Sequence, residues 1–313
     1  MSKIITITFN PAIDKSTTVP ALIPEKKLKC TKPVYEPGGG GINVARAIKK
    51  LGGTATAIYM AGGYTGKAFT QLLNKEGIDL IVAEIKENTR ENLIVYETST
   101  NQQYRFGMPG PSILEHEWQQ CLAQIENIKE ADFIIVSGAL PQGIPLAVYS
   151  KIGSIARSIN AKLIVDTSGE ALMEAVQAGL YLIKPNLAEL SSLLGKEGLN
   201  IERVDEAARE VINKGKCEVV VVSMGAAGAM LVTRNLAMHI MPPAVKIKST
   251  VGAGDSMLAG IVLSLAQNKS IEEAAQYGVA CGTAATMNAG TELCRKEDAD
   301  HLYKLIQVNK FKE

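Results

Sequence analysis

Six apolar, β-branched runs recur along the chain: KIITITF at 3–9, TATAIYM at 54–60, DFIIVS at 132–137, AKLIVD at 161–166, LYLIK at 180–184 and EVVVVS at 218–223. Strands so uniformly apolar must be covered on both faces, which implies a mainly parallel sheet with helices on either side. Helix-period segments between most of them, at 42–51, 66–76, 145–159, 170–177 and 203–214, supply that cover. Three more, at 254–267, 271–287 and 297–308, follow one another with no strand between. The fold class is therefore α/β, built on a mainly parallel central sheet flanked by helices.

Two stretches break this rhythm. Residues 15–36 hold three prolines among short alternating pieces. RENLIVYETSTNQQYRF at 90–106 reads as a hairpin, with strands at 92–98 and 103–106 around a polar turn. Together they predict a small antiparallel sheet outside the main one. Such a sheet has one apolar face, which a substrate or another subunit must cover.

With 33 basic and 32 acidic side chains the net charge is +1, too little to draw nucleic acid from a distance, so a local site must hold any anionic ligand. No apolar run reaches the roughly 18 residues of a membrane span. MSKIITITF, with one lysine before an alternating strand, makes a poor signal peptide. Five scattered cysteines without a CxxC pair read as reduced thiols of a cytoplasmic protein. His116, His239 and His301 have no ligand spacing, which argues against zinc.

Four glycines, Gly38–Gly41, stand directly before a helix in EPGGGGINVARA. Such a run costs backbone entropy, and at a helix start it exposes N–H groups to a close polar ligand, with Asn43 pointing into the site from the first turn. A flexible loop is the alternative. The stretch is no dinucleotide fingerprint, because Asn43 occupies the third glycine position of GxGxxG, and GGYTGK at 62–67 is no P-loop, because Ala68 replaces the hydroxyl.

The second cluster is GAGD at 252–255, within KSTVGAGDSMLAG. Its amides can converge on one point, and the helix that follows adds its positive end. Asp255 is there either as an ordinary cap or as a base that takes an alcohol proton. In the second case the amides of Gly252, Ala253 and Gly254 steady the charge on a moving phosphoryl group, with the hydroxyls of Ser249 and Thr250 beside them. In IKPNLAE at 183–189, Pro185 stops a strand and leaves Lys184, Asn186 and Glu189 where open parallel sheets bind ligands. Asn186 and Glu189 lie three apart on one helix face, an arrangement shared by a site for water-coated Mg²⁺ and by a plain capping box.

In this order, and over essentially the whole length, these motifs resemble the ribokinase-like sugar kinases, the PfkB carbohydrate kinase family. STVGAGDSMLAG is similar to its C-terminal signature and GGGGINVARAIKKLGG to its N-terminal one, with KPNLAE between them. The resemblance implies one ribokinase-like domain over 1–313, with a lid formed by about 15–36 and 90–106. TFNPAID at 8–14, the hairpin arginines and SGALP at 137–141 resemble the branch that phosphorylates sugar phosphates. Members acting on tagatose 6-phosphate or fructose 1-phosphate usually read GGKG. The GGGG found here favours ATP-dependent phosphorylation of the 1-hydroxyl of D-fructose 6-phosphate. The alternatives are tagatose 6-phosphate, which differs at one hydroxyl that no residue here singles out, then fructose 1-phosphate or an unphosphorylated sugar, and a non-catalytic sugar-phosphate-binding protein.

Residue by residue, the resemblance implies Asp255 as catalytic base and Gly252, Ala253 and Gly254 as anion hole. It implies that Asp14, Gly39, Gly40 and Asn43, with Ser137 and Gly138, hold the sugar. Arg90 and Arg105 would grip the phosphate already on it, and Lys27 would reach in from a neighbouring subunit. Lys184, Asn186 and Glu189 would lie near the ATP phosphates and Mg²⁺, Glu189 through water, and Ser223, Gly225 and Gly228 near the nucleotide. Carbonyls of Ser249, Val251, Ala285, Asn288 and Gly290 would hold K⁺, although Glu292 stands where a basic residue is usual. Two lids clasping each other would form a homodimer.

Overall fold

The computed structural model describes residues 3–196, 198–214 and 217–311; Met1 and Ser2, the head of the N-terminal stretch discussed above, lie outside them. The strands are β1 (Ile4–Thr8), β2 (Ala12–Val19), β3 (Val34–Gly38), β4 (Thr56–Gly62), β5 (Asp79–Ile85), β6 (Arg90–Glu97) and β7 (Gln102–Phe106). They continue with β8 (Phe133–Ser137), β9 (Lys162–Asp166), β10 (Leu180–Ile183), β11 (Cys217–Ser223), β12 (Ala229–Val232), β13 (Ala237–Met241) and β14 (Gln307–Phe311). The helices are α1 (Gly40–Lys50), α2 (Gly63–Asn74), α3 (Glu115–Glu126), α4 (Val148–Ser158) and α5 (Gly169–Gln177). After them come α6 (Leu187–Leu193), α7 (Val204–Lys214), α8 (Ala253–Ala266), α9 (Ile271–Thr286) and α10 (Lys296–Tyr303).

Successive side chains of a strand point to opposite faces, and here both faces are buried. In β8, Phe133 and Ile135 join a core with Ile42 of α1, Phe69 of α2, Leu258 of α8 and Ala280 of α9. Ile134 and Val136 join a second core, with Trp118 of α3, Tyr149 of α4, Leu172 of α5 and Val211 of α7. The central runs carry apolar residues on both faces because the middle of the sheet is covered on both sides.

The main sheet runs β14-β13-β12-β11-β10-β9-β8-β1-β4-β5. It is parallel from β11 through β5 and antiparallel at the β12–β14 edge. From β1 the chain builds outward through β4 and β5, then crosses to add β8 to β11 on the other flank. Strand order thus reverses between β1 and β8, and ligands of open α/β sheets bind outside the carboxyl ends at such a point.

The small sheet, β3-β2-β6-β7, is mixed, which corrects the expectation of an antiparallel one. β2 and β6 run parallel, from Ala12 beside Arg90 to Val19 beside Glu97. The reason is topological: β2 follows β1 and β6 follows β5, so both leave the carboxyl edge of a parallel sheet in the same direction. Only β2–β3 and the β6–β7 hairpin are antiparallel. The helix expected at 297–308 also ends early, at Tyr303, and β14 takes up its tail as an edge strand with all five residues exposed.

Candidate active site

The carboxyl ends of β1, β8, β9, β10 and β11 open onto one cleft, and the glycine run forms part of its wall. A Cβ at Gly38 would lie 2.2 Å from Oδ2 of Asp14, and one at Gly40 would lie 2.2 Å from Oγ of Ser137 and 2.7 Å from the amide nitrogen of Gly138. Gly39 caps α1 with φ 114°, in the left-handed region that disfavours side chains. Close packing, not looseness, therefore requires these glycines, and the flexible-loop alternative falls. Asp14, Asn43, Ser137 and Gly138 are brought to one wall, as expected.

At the GAGD bend, Gly252 is the N-cap of α8 with φ 72°, and a Cβ there would meet Leu293 at 2.6 Å. No side chain caps this helix. The amides of Gly254 and Asp255 donate to no acceptor among the described residues, as the start of a helix dictates. Asp255 is thus not the cap. Its Oδ2 accepts a hydrogen bond of 2.9 Å from Nδ2 of Asn43 across the cleft. Burial, with the neighbouring Asp166 carboxylate, pushes its carboxyl up to about 7, against the pull of Asn43 and Lys184. An acid near neutrality at a helix N-terminus can take or give a proton at working pH.

Lys184 ends β10 almost wholly buried, its ammonium 3.3 Å from Asp166 and 3.1 Å from where a Cβ of Gly254 would stand. Burial works against its charge, but Asp166, then Asp255, outweigh it and hold its pKa above the ordinary lysine value. It is a fixed cation facing the amides. Asn186 caps α6 and Glu189 answers it, with Asn186 Oδ1 accepting from the Glu189 amide at 2.9 Å and Glu189 Oε2 from the Asn186 amide at 2.8 Å. The capping box is therefore present. It engages one carboxylate oxygen of Glu189 and leaves the other without a partner among the described residues.

Beside α8 lies a cavity of about 430 Å³ lined by Ser223, Gly225, Gly228, Pro242, Val245, Thr250, Gly254, Met257 and Thr283. Ser223 pairs with Asn186 across the β10–β11 ends, so this cavity and the Lys184 cluster adjoin. An apolar slot that carries the hydroxyls of Ser223, Thr250 and Thr283 suits a nucleoside, and Gly254, with its free amide, is part of its wall. Among the described residues no three His, Cys, Asp or Glu side chains gather as a metal cage. Mg²⁺ fits on the terms it usually accepts, with one or two carboxylates and phosphate oxygens.

The expected K⁺ ligands fall on two facing segments. Ser249 donates through Oγ to the carbonyl of Gly290 at 2.7 Å, and the Lys248 amide donates to the carbonyl of Thr286 at 2.8 Å. Asn288 pins its own loop through Nδ2 to the carbonyl of Leu293. Carbonyl-rich loops suit a weakly hydrated monovalent ion. Glu292 turns instead to Arg295, at 2.8 Å.

The small sheet contributes unevenly. Asp14 accepts from Nδ2 of Asn92 at 2.9 Å and is raised by burial against that bond and against Arg90. Arg90 spends Nη1 on the carbonyl of Met108 and Nη2 on that of Asn10, leaving Nε buried without a partner. Much of its fork is thus committed to backbone, contrary to a freely offered phosphate grip. Arg105 is exposed and reaches the bend, donating to Oγ1 of Thr250 at 3.0 Å. Lys27 lies exposed in the β2–β3 loop.

Sequence reading missed two residues of the site, Asp166 and Arg46. The first had a signal: KLIVD is an apolar run ending in a carboxylate at the carboxyl end of a parallel strand. The second, buried on α1 beside Asn43, had none.

The sequence pattern of the "pfkB family carbohydrate kinase" family matches residues 5–298. The chain is 46% identical over 307 residues to the ATP-dependent 6-phosphofructokinase isozyme 2 of Escherichia coli, covering 98% of this chain and 99% of that one. The crystal structure of phosphofructokinase-2 from Escherichia coli in complex with potassium superposes with a TM-score of 0.94 at 45% identity, over 97% of this chain and 99% of that one. The complex of that enzyme with fructose-6-phosphate gives 0.92 at 44% identity, with the same coverage.

Proposed function

The chain belongs to the pfkB family of carbohydrate kinases, and on that premise we propose that its cleft transfers the γ-phosphoryl group of ATP to the 1-hydroxyl of D-fructose 6-phosphate, giving fructose 1,6-bisphosphate. It is an ATP-dependent sugar-phosphate kinase of the 6-phosphofructokinase type. The observation that carries the proposal is Asp255, uncapped, poised near neutrality and held by Asn43 at the mouth of the α8 amides.

Asp255 takes the proton of the 1-hydroxyl as the oxygen attacks phosphorus. Negative charge spreads over the oxygens of the moving group, and the free amides of Gly252, Gly254 and Asp255, with the ammonium of Lys184, lie where it collects, while the expected amide of Ala253 turns back to the carbonyl of Thr250. Asp14 and the Gly39–Gly40 wall bind the sugar hydroxyls. Arg105 takes the 6-phosphate, while Arg90 orients the neighbouring backbone through the carbonyls of Met108 and Asn10 and adds its positive charge. Glu189 would hold Mg²⁺ through water beside the nucleotide phosphates, where the ion would neutralise charge, and the 249–251 and 285–290 loops would hold K⁺ beside the bend.

The small sheet is read as a lid. Val34 is exposed on the face of this sheet that also carries Ser16 and Ile94, and a second copy meeting lid to lid there would cover it and bring in Lys27. Between this sheet and the body lies about 1040 Å³ of open space, bounded by Ser16, Ile94, Gln103, Lys248 and Gly290, which the partner would close. Five free cysteines fit a reducing cytoplasm, and no helix among the described residues is long and apolar enough to cross a membrane.

Comparing kcat/KM for fructose 6-phosphate, tagatose 6-phosphate, fructose 1-phosphate and fructose tests the substrate. A preference for anything but the first overturns it. Arg105→Ala should raise KM for fructose 6-phosphate about 10–100-fold with little change in KM for ATP. Light scattering should show a dimer that Val34→Glu weakens.

A further inference from the structure

Arg46 lies on α1 three residues after Asn43, on the same face. Its side chain is 4% exposed, although a guanidinium cannot shed its charge. Every direction of its fork is occupied. Nε donates to both oxygens of Glu76, at 2.8 and 2.9 Å, and Nη2 to Oε1 of Glu36 at 3.5 Å. Nη1 donates to the carbonyl of Pro37 at 2.7 Å, just before the glycine run, and reaches Oδ1 of Asn43 at 3.5 Å. Glu36 in turn accepts the hydroxyl of Thr291, so the cluster is anchored on α1, β3 and the loop after α9.

We propose that Arg46 is a positioning residue for catalysis: by presenting only donors to one end of the Asn43 amide, it fixes that amide with its NH₂ toward Asp255. A primary amide can be turned end for end at little steric cost, and the neighbours decide which end faces where. Arginine has no acceptor to offer, so the carbonyl of Asn43 faces Arg46 and the NH₂ is left for the carboxylate. Turned over, Asn43 would set an oxygen against Asp255 and disfavour its ionised form. The other groups facing Asp255 are Asp166 from β9, Lys184 after β10 and Asp14 from β2. Of these only Lys184 carries donors, and its ammonium lies against Asp166, with no hydrogen bond to Asp255 among the described residues.

This inference rests on Asp255 being the base, and the test separates the two ideas. Arg46→Lys keeps the positive charge between Glu36 and Glu76 but loses the fork that spans Pro37 and Asn43. It should move the acidic limb of the kcat/KM profile up by about one pH unit, with a loss of roughly 10-fold in kcat at pH 7 and little change in KM. Arg46→Gln should do the same, and whichever variant melts cooperatively decides the matter. Asn43→Ala should show the same shift, and the double variant with Arg46→Lys should be no worse than Asn43→Ala alone. An unmoved limb, or additive losses, in a folded variant overturns the positioning role. Turnover retained by Asp255→Asn instead overturns the base assignment, whatever Arg46 does.

Discussion

The two glycine-rich stretches that meet at the cleft use the same residue for opposite ends. At 38–41 each glycine is pressed by a neighbour that cannot give: Asp14, Pro11, the Ser137–Gly138 backbone and the carbonyl of Ile7. At 252–254 only Gly252 is held in the left-handed region, with Leu293 close by, while Gly254 faces only the Lys184 ammonium, 3.1 Å from where its Cβ would stand. The first stretch sets the shape of a wall. The second sets an electric field, leaving amides bare and an acid raised to about 7 beside them. Function can therefore be lost at one without harm to the fold, and the fold lost at the other before function is even tested.

The sharpest division comes from Asp255→Asn. It should cut kcat by about 10²–10⁴-fold while ATP and sugar phosphate still bind, as isothermal titration can show. Next, if the carboxylate must be ionised to act, kcat/KM should fall about tenfold per pH unit below about 7. A flat profile from pH 6 to 8 would place the base elsewhere. A smaller effect separates the two walls: Gly40→Ala should destabilise by about 1–3 kcal/mol in urea melts, because its methyl enters backbone. Gly254→Ala should leave stability unchanged or raised by up to about 1 kcal/mol, as alanine favours helix, and yet slow turnover by crowding Lys184. Equal destabilisation would erase the contrast.

The smallest effect concerns pH and stability. Asp255 holds its proton more tightly folded than unfolded, so its contribution to stability is complete below about 4 and is lost as pH rises through about 7. Asparagine escapes that loss. Asp255→Asn should therefore melt higher than the parent at pH 8, with the gain shrinking as pH falls toward 4. A lower melting temperature at pH 8 would mean that the carboxylate is structural.

Much of this was legible beforehand, for physical reasons. The parallel strands announced themselves because both their faces are buried, and the two glycine stretches because no ordinary turn needs so many glycines. Asp255 could be named, but not freed from the capping role, since only the bare start of α8 and the Asn43 contact, both long-range facts of the fold, decide between them. β5 and β14 sit at the edges of the sheet, where exposure blurs the pattern, and β14 has none at all. The parallel pairing of β2 with β6 depends on where the main sheet releases each strand, a property of topology and not of either segment. Arg46 was invisible for the same kind of reason: its partners come from positions 36, 37, 43 and 76, and a lone arginine in an apolar helix carries no sign of them.

The crowding around Gly38–Gly41 also bears on how such an enzyme can diverge. A wall in which each position is wedged by a different segment cannot be recut one codon at a time, since any enlargement demands compensating changes in several places. The hairpin end of the small sheet, where β7 is tied to the body by polar bonds such as Arg105 to Thr250, is under less restraint. New acceptor preferences, whether selected in nature or in the laboratory, should therefore accumulate in that sheet first, with the α1 entrance inherited almost intact.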